Sequence, residues 1–229
     1  NVYKEGQALL KKIIDGRWLT ANGVMALLPC NSVNDDDIEI YTDEGRKTIA
    51  FTYYGMRQQS EKPVIDGVPR PNQCLADFIA PKESGIADYI GMFAVTAGLG
   101  IEKHLHRFEE AHDDFNSIML KSLADRLAEA FAEYLHERVR TDLWGYAPQE
   151  KLSNEALIKE EYQGIRPAPG YPACPDHTVK SDMFKIMQAT EIGMSLTDSY
   201  AMSPAAAVSG YYFAHPEAKY FSVDKIGED

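Results

Sequence analysis

A proline-rich stretch from Arg166 to His177 constrains the fold of this chain more than any other segment. It reads Arg-Pro-Ala-Pro-Gly-Tyr-Pro-Ala-Cys-Pro-Asp-His. Proline fixes φ at about −65° and pushes the preceding residue toward an extended conformation, so this stretch can be neither a helix nor a central strand. It is therefore predicted to be a stiff, ordered loop, which loses little entropy when a ligand binds.

Three residues of this loop suit a small ligand that carries a carboxylate or a phosphate. Arg166 stands at its mouth and offers a bidentate pair of donors. Tyr171 offers a flat face and a hydroxyl, and Gly170 allows the backbone to approach a ligand without a Cβ in the way. On these residues alone, a proline-braced surface turn with a solvated arginine is an equally good interpretation.

Length and composition predict one domain with one core. The chain has 229 residues, of which 45% are apolar, and that length is within the range of a single domain. No apolar run is long enough to span a bilayer and no signal-peptide layout opens the chain, so we expect a cytoplasmic protein without a membrane partner. The formal net charge of −12 argues against nucleic-acid binding, which needs clustered Lys and Arg.

The pattern of apolar residues predicts an α+β fold, with a mainly antiparallel sheet flanked by helices. Helical spacing is found at 3–18, and short β-branched or aromatic runs predict strands at 23–29, 37–41, 48–54 and 88–98. Two short helices are predicted at 153–159 and 181–192, and two strands of one sheet at 200–213 and 219–223. A loop is predicted at 62–71.

Residues 102–143 have the longest helical pattern and are predicted to be the core helix. An apolar stripe recurs at every fourth position: Phe115, Met119, Leu123, Leu127, Phe131, Leu135 and Val139. Asp125, Glu129, Glu133 and Glu137 form an acidic stripe with the same spacing. A solvated acidic face is one interpretation of this second stripe. The other is that Asp125 and Glu129 face a cationic partner or a ligand cleft.

Other kinds of site have weaker support in the sequence. Cys174-x-x-His177 resembles half of a zinc site, but no second pair of ligands completes it. The three cysteines are odd in number and widely spaced, which is not a disulfide framework. A glycine-rich loop of the kind that cradles phosphates after a strand is absent. We therefore predict no metal site and no catalytic residue.

Several long motifs resemble the activation domain of cobalamin-dependent methionine synthase. The proline-rich loop resembles the signature that binds S-adenosylmethionine (AdoMet) in that family. Residues 125–140, Trp144-Gly-Tyr and Ser209-Gly-Tyr-Tyr-Phe-Ala-His-Pro-Glu-Ala-Lys-Tyr220 resemble it too, and in the family's order. The resemblance covers nearly the whole chain.

This resemblance implies an AdoMet site and assigns residues to it. The signature positions are occupied by Arg166, Ala168, Gly170 and Tyr171, and a second contact position by Tyr220 and Phe221. Where this sequence has Tyr220-Phe221, members of the family can have Tyr-Tyr. Glu160 is a candidate for the ligand's ammonium group. Asp125 and Glu129 lie on the helix that meets the cobalamin-binding domain in the family.

The implied function is a repair reaction. The domain would present the AdoMet methyl group to cobalamin while flavodoxin or a related flavoprotein supplies an electron. The parent enzyme moves a methyl group from 5-methyltetrahydrofolate to homocysteine, and its cobalamin and zinc belong to other domains. Positioning is then the protein's contribution, and no protein base is needed.

Two further expectations concern the extent of the chain. It begins at Asn1, it ends without an evident closing element, and members of the family continue on both sides, with an acidic AdoMet contact upstream. We therefore expect a fragment, truncated at both ends, that does not turn over alone. The alternative function is a stand-alone AdoMet-binding docking module that transfers no methyl group. A cobalamin-binding Asp-x-His-x-x-Gly motif upstream would favour the first function.

Overall fold

The computed structural model describes residues 1–60, 62 and 64–224, and its centre is a five-stranded antiparallel sheet in the order β3-β2-β1-β6-β9. The chain's closing residues 225–229 lie outside the described part. The strands of this sheet are β1 (Thr20–Val33), β2 (Asp37–Tyr41), β3 (Ile49–Tyr54), β6 (Asp88–Leu99) and β9 (Ala207–Tyr212). Two short hairpins complete the strands, β4 (Val64–Ile65) with β5 (Val68–Pro69) and β7 (Ser195–Leu196) with β8 (Met202–Ser203). The α+β prediction is confirmed.

The described residues contain five α-helices. They are α1 (Val2–Asp15), α2 (Ile101–Glu110), α3 (Asp114–Arg138), α4 (Asn154–Ile158) and α5 (Lys180–Met187). Helices α3 and α5 pack against this sheet. Ser153 caps α4, since its hydroxyl accepts a hydrogen bond from the Ala156 N–H at 3.2 Å. The helix predicted at 181–192 is α5 followed by a 3₁₀ turn (Ala189–Ile192) that ends at Gly193.

Strand β6 lies in the middle of the sheet and is buried on both faces. Its side chains alternate as a strand requires. Met92 and Ala94 join a core that includes Cys174, Phe213 and residues of α5. Phe93 and Val95 point the other way, toward Ala132 and Val139. The sheet therefore separates two apolar layers, with α3 on one side and α5 and Cys174 on the other.

The predicted helix over 102–143 is wrong in two respects. It breaks at Ala111–Asp113, where His112 has a φ of 53° and the Asp113 carboxylate accepts from the Asn116 N–H, starting α3. A π-turn (Val139–Leu143) follows α3.

The face that α3 buries is also not the predicted apolar stripe. Its buried residues are Ser117, Leu120, Ala124, Ala128, Ala132 and His136. Of the predicted stripe, Phe115 is 47% exposed and Val139 alone is fully buried. The reason is size, because alanines let the helix backbone approach the sheet closely while bulkier side chains pack at the edges of the contact.

Three more predictions, two near the C-terminus and one at the 62–71 loop, differ from the structure. Residues 219–223 form no strand, although the Val223 N–H donates to the Pro172 carbonyl at 2.9 Å. Residues 200–213 contain only the short β8 and then β9, interrupted around the cis peptide bond before Pro204. The predicted loop at 62–71 contains the β4–β5 hairpin.

Candidate functional site

The proline-rich loop borders a cleft with a volume of about 280 Å³, between α3 and the β6–β9 face of the sheet. Most of the residues predicted for the site line it. The lining residues are Phe93, Glu129, Glu160, Tyr162, Arg166, Pro167, Ala168, Tyr171, Pro172, Ala173, Val208, Tyr220 and Phe221. The loop is ordered by its own backbone, since the Gly170 N–H donates to the Cys174 carbonyl at 2.8 Å and the Cys174 N–H to the Tyr171 carbonyl at 2.9 Å.

Gly210 explains how the loop can lie directly on the sheet. The Tyr211 N–H donates to the Pro167 carbonyl at 3.0 Å. A Cβ at Gly210 would stand 2.7 Å from that same carbonyl oxygen and 2.9 Å from Phe93 Cε1. Only a residue without a side chain fits this approach.

The guanidinium of Arg166 is held by two side chains of α3. Its Nη2 donates to Glu133 Oε2 at 2.9 Å, and its Nη1 donates to His136 Nδ1 at 3.1 Å. Burial, the largest single effect, lowers the pKa of Arg166, but the hydrogen bond to Glu133 and the charges of its neighbours together outweigh burial, and the pKa lies above its ordinary value. Arg166 is therefore a permanent cation at the edge of the cleft.

His136 is fully buried and acts as a neutral acceptor. Burial, followed by the charges of Arg140 and Arg166, holds its pKa well below the ordinary value. Because arginine has donors only, Nδ1 must accept and the proton must sit on Nε2. That Nε2 atom has no partner among the described residues.

Tyr220 anchors the start of the loop through its hydroxyl. The Arg166 backbone N–H donates to Tyr220 Oη at 3.0 Å, and the hydroxyls of Tyr220 and Tyr162 share a hydrogen bond of 2.8 Å. Burial is the main reason that the pKa of Tyr162 is raised, so the Tyr162 hydroxyl stays neutral. Phe221, the neighbour of Tyr220, lines the cleft as an apolar wall.

The acidic residues in and near the cleft occupy three kinds of position. Glu129 and Glu160 line the cleft. Glu133 holds Arg166 and is 30% exposed in its side chain. Asp125 lies one turn before Glu129, is exposed, and is not among the residues that line the cleft.

Gly170 has a different use from the one that the sequence indicated. Its φ of +92° favours glycine, and a Cβ there would overlap the ring of His177. It is not among the lining residues. The absence of a side chain at Gly170 therefore leaves room for the His177 ring, and Gly170 supports the conformation of the loop.

Sequence reasoning missed three residues of this site: Glu133, His136 and Tyr162. Glu133 belonged to the acidic stripe but lacked a stated partner. The spacing Glu133-x-x-His136 on a helix places both side chains on one face, which was the available signal.

Cys174 does not combine with His177 as a reactive or metal-binding pair. Its thiol is buried and accepts a hydrogen bond from the Tyr53 hydroxyl at 3.5 Å, and burial raises its pKa to about 11. Among residues 1–60, 62 and 64–224, no group of three His, Cys, Asp or Glu could hold a metal ion. Within the same residues, no helix has the length and apolar character needed to cross a membrane.

Comparison with known proteins defines the class and then the family. A crystal structure of the MetH reactivation domain bound to AdoHcy has a TM-score of 0.92 and 55% sequence identity to this chain, and the match covers 98% of this chain and 68% of that one. The chain thus has the fold of a reactivation domain. A model of the family "vitamin B12 dependent methionine synthase, activation domain" matches residues 1–229. The chain therefore belongs to the family of activation domains of vitamin B12-dependent methionine synthase, and the resemblance seen in its motifs is confirmed.

Proposed function

We propose that this domain binds AdoMet in the cleft beside Arg166 and presents its methyl group to cobalamin during reductive reactivation of methionine synthase. The observation that carries the proposal is the position of Arg166, a partly buried and oriented cation at the edge of a partly apolar cleft. The similar reactivation domain was solved with AdoHcy, which is AdoMet without the transferred methyl group. The parent enzyme would transfer a methyl group from 5-methyltetrahydrofolate to homocysteine in the cytoplasm.

The cleft offers complementary chemistry for each part of such a ligand. Three N–H donors of the Arg166 side chain have no partner among the described residues, and they suit the carboxylate. Glu160 and Glu129 offer negative charge to the ammonium group and the sulfonium. Tyr171, Phe221 and the backbone at Ala168 provide flat and apolar surface for the adenosine. Gly170 contributes through the loop conformation.

The domain's part in the reaction is binding, orientation and exclusion of water. The ligand carries its own activated methyl group, so the residues of the cleft need only hold that group facing outward. Cobalamin belongs to another domain of the same polypeptide and supplies the nucleophilic cobalt when the two domains meet. A flavodoxin or related flavoprotein would deliver the electron. Asp125 and Glu129, at the α3 side of the cleft, are the proposed contacts with the cobalamin-binding domain.

A test of this function uses two steps. The domain is first titrated calorimetrically with AdoMet and with AdoHcy, and saturable binding of one ligand per chain is expected. The full-length enzyme, inactivated by oxidation of its cobalamin, is then reactivated with methyl-labelled AdoMet and a reduced flavoprotein. Label is expected in cobalamin and then in methionine. AdoMet binding with no transfer of label would favour the alternative, a docking module without methyl transfer, and absence of binding would contradict both.

A further inference from the structure

The environment of the Arg166 guanidinium is built by α3 and not by the loop that carries Arg166. Glu133 and His136 are three residues apart on α3 and approach two different nitrogens of the guanidinium, at 2.9 Å and 3.1 Å. The Arg166 side chain is 19% exposed. The two contacts therefore fix the plane of the guanidinium as well as its position.

Glu133 and His136 both act as acceptors, and each takes one N–H donor of the Arg166 guanidinium. Glu133 offers one oxygen to Nη2, while its other oxygen is buried without a partner among the described residues. His136 offers Nδ1 and is itself fixed by its neighbours, because its ring stacks on Tyr212 at 5.2 Å and meets Tyr162 edge-on at 4.7 Å. The guanidinium has five N–H donors, so three remain for a ligand.

We propose that Glu133 and His136 are positioning residues that hold the Arg166 guanidinium in one orientation, so that a ligand carboxylate meets a preset pair of donors. This inference rests on the proposed function, in which Arg166 receives the carboxylate of AdoMet. A free arginine side chain must lose its rotamer freedom when a ligand binds. An arginine that is already ordered avoids that loss, and binding is correspondingly tighter.

A double-mutant cycle on AdoMet affinity tests this role. Glu133→Ala is expected to weaken AdoMet binding about tenfold in the wild-type background, and to change it little in an Arg166→Ala background, because the lost effect acts only through Arg166. Binding of 5′-methylthioadenosine, which has the adenosine but no carboxylate, should be unaffected by Glu133→Ala. A structural defect would instead weaken both ligands in both backgrounds.

Conservative variants separate positioning from charge. Glu133→Gln keeps an acceptor of the same reach and should restore most of the affinity. His136→Asn keeps an acceptor near the position of Nδ1 and should bind better than His136→Leu, which has none. Glu137→Ala is the matched control, since Glu137 lies one turn beyond Glu133 on the exposed side of α3. Thermal unfolding of each variant shows that it is folded.

The outcomes separate the two claims. If the wild-type domain binds AdoMet and Arg166→Ala weakens that binding, but Glu133→Ala binds normally, the positioning role is overturned while the proposed function stands. Equal losses from Glu133→Ala with and without Arg166 would overturn it too. If Arg166→Ala itself has no effect, the proposed function fails, and the positioning role fails with it.

Discussion

Arg166 is constrained at both its backbone and its side chain, and the two constraints come from different parts of the fold. Tyr220 accepts from its backbone N–H, and Glu133 and His136 accept from its guanidinium. The aromatic pair Tyr220-Phe221 was expected to touch the ligand. The Tyr220 hydroxyl already forms hydrogen bonds inside the protein, so we propose that it contributes to binding indirectly.

Removing that hydroxyl gives a prediction about stability. Tyr220→Phe leaves the Arg166 N–H and the Tyr162 hydroxyl without their partner, so the free energy of unfolding should fall by about 1–2 kcal/mol. AdoMet affinity should fall severalfold because the loop is less well held. Urea unfolding and calorimetry measure the two effects. Tyr54→Phe is the control, because Tyr54 is 70% exposed. An unchanged unfolding free energy for Tyr220→Phe would contradict the anchoring role.

A second prediction at this scale concerns pH. Burial and two arginines hold the pKa of His136 well below its ordinary value, whereas in the unfolded chain it titrates near 6.5, its approximate reference value. Below about pH 6.5 the unfolded state therefore binds the additional proton, and stability is lost as the pH falls toward the folded pKa. The charged groups nearest to His136 are Arg140, Arg166 and, through its hydrogen bond to Arg166, Glu133.

The measurement is the free energy of unfolding from about pH 8 to about pH 5. The wild-type slope below about pH 6.5 should exceed that of His136→Asn by up to about 1.4 kcal/mol per pH unit, which corresponds to one proton. Because the comparison is with a matched variant, the titration of surface carboxylates cancels. Parallel curves for the two proteins would show that His136 is not neutral and buried as described.

At the scale of elements, α3 places its acidic residues in three different environments on successive turns. Asp125 points to solvent, Glu129 lines the cleft, and Glu133 with His136 holds Arg166. The two acidic residues that the sequence grouped together thus occupy different environments. Their proposed roles can be separated by single substitutions.

We expect Glu129→Gln to weaken AdoMet binding about threefold to fivefold, because an exposed carboxylate near a cation contributes less than about 1 kcal/mol. Asp125→Asn should leave AdoMet binding unchanged but slow the transfer of methyl label in the full-length enzyme, since a contact at an interface acts on docking. Glu137→Gln serves as the control in both assays. Loss of AdoMet affinity in Asp125→Asn would place that residue in the ligand site instead.

The sequence predicted the sheet, the stiff loop and most of the lining of the cleft. Prolines and short β-branched or aromatic runs act locally, so strands 37–41 and 88–98 and the loop at Arg166 follow from neighbouring residues. The buried face of α3 could not be predicted, because a second stripe with the same four-residue spacing, Leu120, Ala124, Ala128, Ala132 and His136, lies beside the predicted apolar stripe. Spacing alone cannot choose between the two. The second stripe is the buried one because its alanines allow close approach. The partners of Arg166 are 30 and 33 residues away, and only the folded chain brings them together.

In the whole molecule, an ordered loop, the central sheet and one long helix together form the proposed ligand site. Gly210 lets the loop lie on the sheet, and α3 orients the cation that the loop carries. On the α3 side of the cleft, Asp125 and Glu129 are exposed, and this is where another domain is proposed to dock. Binding and docking are therefore predicted to depend on neighbouring residues of α3, with Glu129 contributing to both.

The most direct test of this account is the change in AdoMet dissociation constant on substituting Arg166. Arg166→Ala should weaken binding by about 2–4 kcal/mol, because the ligand carboxylate loses a charged, partly buried partner. Arg166→Lys should recover only part of it, since an ammonium lacks the planar pair of donors. Arg126→Ala, which removes an exposed arginine of α3, is the control and should bind as the wild type does. Calorimetry on folded variants measures all three, and an unchanged dissociation constant for Arg166→Ala would contradict the assignment of this cleft as the AdoMet site.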